Sequence, residues 1–227
     1  MVFAAAALAC ASVAAAAVEP FTARYQVFYQ GSPQGEGTMR LARDGGNRWT
    51  YSLDIKGTSG MAALAGADVA QRTTFEVVDG RWRPLTSRDS SKMLFKKSDQ
   101  TATYDWARGE ARWSGDVKPD RAGPVRLRPG DLDGMLVNLA LPRDLAAGRP
   151  LRYRMVDNGK ARSLDYRVAG TETVTVDGRA HEATKVIGQD GDRQIIAWVV
   201  EGLPVPARIL QREKGRDALD LRIQSLR

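Results

Sequence analysis

The stretch Asp131-Leu132-Asp133-Gly134-Met135-Leu136-Val137-Asn138-Leu139-Ala140-Leu141 decides how the rest of the chain is read. Leu132, Met135, Leu136, Leu139 and Ala140 recur three and four residues apart, which places them on one face of an α-helix. Asp131 is positioned to cap the first turn. Pro142 has no amide hydrogen and its ring crowds the preceding turn, so the helix is expected to stop there. A single amphipathic helix among many strands packs most economically on the concave face of a curved sheet, where it would organise the core.

Outward from that helix the chain alternates with period two, the mark of half-buried strands. Before it, Phe21, Ala23, Tyr25, Val27 and Tyr29 form one apolar face. Gly37, Met39 and Leu41 form a second, and Trp49, Tyr51, Leu53 and Ile55 a third, so the opening reads as a meander. Residues 57–67 are small and glycine-bracketed and break the pattern as a loop. Alternation resumes at 69–79 and 81–89. Shorter strands are expected at 93–97, 101–106 and 110–114, with a turn at Ser98-Asp99-Gln100. Pro119, Pro124 and Pro129 mark a linker that crosses to the helix. Beyond the helix, Asn158-Gly159 between alternating segments is a strong hairpin signal. Ile195-Ile196-Ala197-Trp198-Val199-Val200 is apolar on both sides and reads as a strand covered on both faces. About a dozen strands with short connections predict a mainly β fold: a strongly curved antiparallel meander, half-barrel or incomplete barrel, with one amphipathic helix packed on its concave face.

Residues 18–227 of the 227-residue chain read as a single β-rich domain. The chain carries 34 Lys and Arg against 27 Asp and Glu, but the two signs alternate, so the net charge of +7 outlines no nucleic-acid footprint. Residues 1–17 are apolar and uncharged, too short to span a bilayer, and read as a signal-peptide-like segment with Ala15-Ala16-Ala17 as an A-x-A cleavage site. No basic residue precedes the apolar run, so the true start is expected further upstream. Export to the periplasm follows, with peripheral membrane contact allowed and no transmembrane span in the mature chain. Cys10 is the only cysteine, and Ala7, three residues before it, departs from the lipoprotein pattern, so lipidation is not expected. A mature chain without cysteine excludes disulfides, thiolate metal sites and a cysteine nucleophile.

Several strand-and-turn patterns carry a resemblance. Gly170-Thr171-Glu172-Thr173-Val174, Asp177-Gly178, Ala183-Thr184-Lys185-Val186, Trp198 and Leu203-Pro204-Val205-Pro206-Ala207-Arg208-Ile209 resemble the exported bacterial domain-of-unknown-function family DUF3108. Tyr25-Gln26-Val27-Phe28-Tyr29, the Gly31 turn, Gly35-Glu36-Gly37-Thr38 and the helix start at residues 131–136 agree with it. The resemblance spans most of the mature chain and implies a periplasmic or outer-membrane-associated protein with no established activity.

Motifs for chemistry are sparse. His181 is the only histidine, and Glu182 beside it points to the other strand face, so no familiar catalytic triad can be assembled. Asp190-Gly191-Asp192 and Asp131-Leu132-Asp133-Gly134 lack the donor set of a calcium loop and read as turn and cap chemistry. No metal site, cofactor or catalytic residue is expected. The large side chains Tyr25, Met39, Trp49, Tyr51, Leu53, Phe75, Trp82 and Trp198, with Met135, Leu136 and Leu139 of the helix, are candidates to line an apolar concavity. Arg126 and Arg128 are candidates to meet an anionic head group. The function expected is non-catalytic binding of a lipid, another amphiphile or an envelope component. The alternatives are a scaffold for envelope proteins using sheet edges and the 57–67 loop, or a hydrolase of envelope polymer, which would require clustered acids such as Asp131 and Asp133 beside a cleft.

Overall fold

The computed structural model describes residues 19–227. The signal-like segment and Cys10 lie outside them. One antiparallel meander supplies nearly everything. Its first half is β1 (Phe21–Tyr29), β2 (Ser32–Gly45), β3 (Arg48–Gly57), β4 (Asp68–Val78), β5 (Arg81–Met93), β6 (Lys96–Asp105), β7 (Glu110–Gly115) and β8 (Val125–Arg126). Its second half is β9 (Arg152–Asp157), β10 (Lys160–Val176), β11 (Arg179–Asp190), β12 (Arg193–Val200), β13 (Arg208–Glu213) and β14 (Arg216–Leu226). The first and last strands pair, so the 14 strands form one sheet running from β8 through β1 and β14 to β9.

The sheet is a nearly closed barrel. Its end strands β8 and β9 do not pair; residues 127–133 run between them. Leu127 N–H donates to Gly109 O at 2.8 Å on one side. On the other, Leu132 bridges Met155, and Val156 N–H donates to Leu132 O at 2.8 Å. Arg154 completes the seam by pairing with the buried Asp131 and donating to Arg126 O at 3.1 Å. A small core of Ala102, Tyr104, Ala111, Trp113, Leu127 and Val156 sits under it.

Two helices interrupt the strands where one was expected. The loop after β3 contains a single turn, α1 (Gly60–Leu64), with no buried residue. The larger helix, α2 (Gly134–Ala146), differs from its expected form in three ways. Asp133 rather than Asp131 is the N-cap, its carboxylate accepting from Leu136 N–H at 2.8 Å, because Asp131 is taken by Arg154 and by the Arg128 amide. Pro142 lies inside the helix instead of ending it. It removes the hydrogen bond to the Asn138 carbonyl, yet Pro142 is buried, and its packing offsets that loss. Finally, α2 is not amphipathic in effect: Val137, Leu141 and Asp144 are buried along with Met135, Leu136, Leu139 and Ala140. Those apolar side chains share one core with inward residues such as Tyr25, Met39, Tyr51, Leu53 and Phe75.

Strand β12 is covered on both faces, as its composition implied. Ile195 lines an interior cavity while Ile196 and Trp198 of opposite parity are also buried. Their cover is the far half of the β10–β11 hairpin, where Trp198 Nε1–H donates to Glu172 at 2.7 Å and Asp177 N–H reaches Gln224 O at 3.2 Å.

Candidate functional site

Helix α2 separates two cavities of opposite character. At its first turn lies a polar one of about 160 Å³, lined by Gln71, Thr73, Asp89, Asp133, Asp157 and Arg162 among others. Strand parity explains the acids: Tyr153, Met155 and Asp157 alternate inward along β9, and Asp89 follows the buried Ser87 on β5. Asp133, fully enclosed, accepts from the Thr73 hydroxyl and the Leu136 amide. Burial raises its pKa to about 7 against the pull of those two donors, and the neighbouring Asp157 and Asp89 carboxylates push the same way. Asp89 is raised to about 6 by burial and by Asp157, although it accepts from Gln71 at 3.1 Å. Burial raises Asp157 as well. Gly134 makes room for it: a Cβ there would lie 2.9 Å from Asp157 Oδ2. Arg162 is committed to Asp190 at 2.9 Å. Among the described residues no group of His, Cys, Asp or Glu has the arrangement to hold a metal ion.

At the other end of α2 is a cavity of about 730 Å³. Its walls are mostly apolar: Phe21 and Leu41 from the β1–β2 pair, Trp82 at the start of β5, Leu139, Pro142 and Leu145 of α2, and Leu203 and Pro204 after β12. Phe21 and Leu41 are opposite one another in register, which is why both reach it. Charge is confined to Glu19, Arg143, Glu201 and Arg227. Arg143 is fixed in place, its guanidinium 4.0 Å from the Trp82 ring centroid and its Nε 2.8 Å from Asp144. Asp144 also takes Arg149 at 3.4 Å. A neighbouring recess of about 460 Å³ shares Glu19 and Pro20 and is lined by Trp49.

The expected lining residues are therefore divided. Trp82 and Leu139 line the large cavity, Trp49 the recess beside it, and Met135 the polar cavity. Tyr25, Met39, Tyr51, Leu53, Phe75 and Leu136 line none of the three and fill the core instead. Their partners show why: Tyr25 Oη donates to Pro206 O at 2.8 Å, Tyr51 Oη to Met39 Sδ at 3.2 Å, and Phe75 packs on Trp82 at 5.7 Å. Trp198 is a correction. It faces the outer side of the sheet, between the Arg208 guanidinium at 4.4 Å and Lys185 Nζ at 5.3 Å. Arg126 and Arg128 sit at the seam and line none of these three cavities; Arg143 is the arginine at the apolar mouth. The chain does supply clustered acids with raised pKa, but they are Asp133, Asp89 and Asp157, with Asp131 absorbed by its ion pair.

The geometry has a counterpart among solved structures. The crystal structure of a beta-barrel-like protein of domain of unknown function DUF1849 from Brucella abortus matches with a TM-score of 0.54 at 14% identity. The match covers 92% of this chain and 97% of that one, and at such identity the likeness is one of fold. No curated protein matches the chain. The sequence pattern of the family described as Protein of unknown function (DUF3108) matches residues 24–216, and the chain belongs to that family.

Proposed function

We propose that the chain is a non-catalytic envelope protein, exported to the periplasm, that binds an amphiphile in the apolar cavity at the C-terminal end of α2. The observation that carries this reading is the cavity itself. About 730 Å³ walled by Phe21, Leu41, Trp82, Leu139 and Leu203 lies in the range of sites that bury most of a drug-sized ligand. In this reading α2 rests on the concave side of the sheet, filling the barrel axis at one end and leaving it hollow at the other. Charged residues only at the mouth suit a ligand with one polar end. The test is lipid mass spectrometry on protein recovered from a periplasmic fraction, beside the variant Ala146→Trp, which places an indole at the mouth. The wild-type protein should carry a bound amphiphile and the variant should lose at least about tenfold in affinity. Recovery of the wild type without ligand, together with no uptake of added fatty acid, would overturn the proposal.

The polar cavity favours a second reading, acid–base hydrolysis, because Asp133 and Asp89 titrate at about 7 and about 6. Its size weighs against a polymer substrate: about 160 Å³ is well below the roughly 300 Å³ at which ligand sites begin.

A further inference from the structure

The most exposed large apolar side chains gather at one place that neither cavity uses. Strands β5 and β6 are joined by the two-residue turn Leu94-Phe95. Met93, Leu94 and Phe95 are 57%, 62% and 102% exposed, so Phe95 touches essentially nothing of its own fold. The turn is held against the loop after β3 by Leu94 N–H donating to Ala65 O at 2.7 Å. That contact brings the tip beside α1, whose Met61 and Leu64 are 72% and 79% exposed.

Turn chemistry makes the choice of residues more pointed. The turns Gln30-Gly31, Asp79-Gly80, Asn158-Gly159, Asp177-Gly178 and Lys214-Gly215 all carry positive φ at both positions and use glycine at the second. At the β5–β6 turn the positive φ of +52° falls on Leu94, a conformation that branched apolar side chains disfavour. Folding alone would select glycine or asparagine there and a polar neighbour. Lysines surround the tip. Lys92, Lys96 and Lys97 are all exposed within two residues of it, and Lys56, also exposed, ends β3 nearby. In the register of the sheet, Asp68 stands opposite both Lys56 and Lys92 and is the one acid among them.

We propose that this tip is a membrane-docking element, with Leu94 and Phe95 entering the interface of an anionic bilayer, Met61, Leu64 and Met93 widening the apolar contact, and the four lysines meeting lipid phosphates. Apolar side chains ringed by lysine match a surface that is greasy beneath a negative layer. An apolar protein groove would have no use for the cations. The inference is independent of the amphiphile reading, and it sets an orientation. Trp82, at the mouth of the apolar cavity, is eleven residues before Met93 on the same strand, so the mouth lies ~36 Å along β5 from the docked tip. Docked in this way, the barrel holds its cavity open towards the aqueous side.

The test is co-sedimentation of the full protein with phosphatidylcholine vesicles, with and without phosphatidylglycerol, against the pairs Leu94→Ser/Phe95→Ser and Lys96→Glu/Lys97→Glu. All four positions are exposed, so both variants should keep the wild-type melting temperature. The wild type should pellet with the phosphatidylglycerol vesicles and be released by high salt. The lysine pair should lower partitioning at least roughly 30-fold, and the apolar pair at least about tenfold. The proposal is overturned if the wild type stays in the supernatant, or if either variant pellets undiminished. It is equally overturned if the Leu94→Ser/Phe95→Ser change abolishes a concentration-dependent dimer while vesicles bind neither form, since a second copy would then be the occupant.

Discussion

The two ends of α2 are built to opposite specifications. At the first turn, four carboxylates, Asp89, Asp133, Asp157 and Asp190, line a space of about 160 Å³, and one of them, Asp133, caps the helix and accepts from Thr73 on β4. At the last turn, Pro142, Leu145 and Arg143 face a space of about 730 Å³ whose walls are mostly carbon. Thirteen residues separate these environments, ~20 Å at the α-helical rise. The difference teaches that the small cavity is polar and holds the helix cap, while the large one is bordered mainly by apolar side chains. Burial supplies the stability of the helix, and under the proposed function the two ends divide anchoring from binding.

The largest effect should come from cutting the element that joins them. Leu136 is completely buried between the cavities, and Leu136→Ala should cost about 2–5 kcal/mol in urea unfolding while uncoupling both ends. A loss under about 1 kcal/mol would mean that α2 is not part of the central packing.

Next in size is a pH effect specific to the polar end. Asp133 and Asp89 hold protons in the folded state up to about 7 and about 6, whereas an unfolded Asp releases its proton near 3.8. Their stabilising contribution is fully present below pH ~4 and is lost as pH rises through 6 and 7, on the order of a few kcal/mol together. The melting temperature should therefore be higher at pH 5 than at pH 8. Asp133→Asn keeps an oxygen for the Leu136 amide, removes the titration and should flatten that slope. An unchanged slope would refute the assignment, and amphiphile binding should not follow it.

Smaller again is Arg143→Ala at the apolar end. It removes the stacking on Trp82 and one of two cations on Asp144, while Arg149 remains, so a loss of about 1–2 kcal/mol is expected in the same unfolding assay. Least of all in stability, within about 0.5 kcal/mol, is the mouth substitution Ala146→Trp, whose effect should appear in binding alone.

The strands were legible because alternation is a local signal. Phe21, Ala23, Tyr25 and Val27, and likewise Trp49, Tyr51 and Leu53, are buried at period two as read, although Tyr29 at the strand end is exposed; the Asn158-Gly159 turn fixes its hairpin without help from the rest of the fold. The helix was legible in position but not in its ends. Asp131 and Asp133 offer the same capping oxygen, and only the approach of Arg154 from β9 decides between them. Pro142 misled for the same reason, since what offsets its missing hydrogen bond is tertiary burial. Ser98-Asp99-Gln100 reads as a turn between strands at 93–97 and 101–106 because turns are ordinarily polar, but those residues lie within β6 and the chain turns at Leu94-Phe95. That misreading falls at the one tip where the chain departs from folding economy. The cavities themselves were illegible. Tyr25 and Tyr51 fill space while Phe21 and Leu41 border it, and strand parity is identical for all four. Which side chains α2 packs against, and which it leaves beside open space, separates filling from lining.

The most direct test is a methyl-resolved NMR titration of the protein with a fatty acid kept below its micellar concentration. The account predicts saturable shifts at Leu139, Leu145, Val199 and Leu203, with Met135, Met155 and Leu164 at the polar end unmoved. Shifts confined to the polar end, or no saturable shift at either, would contradict it.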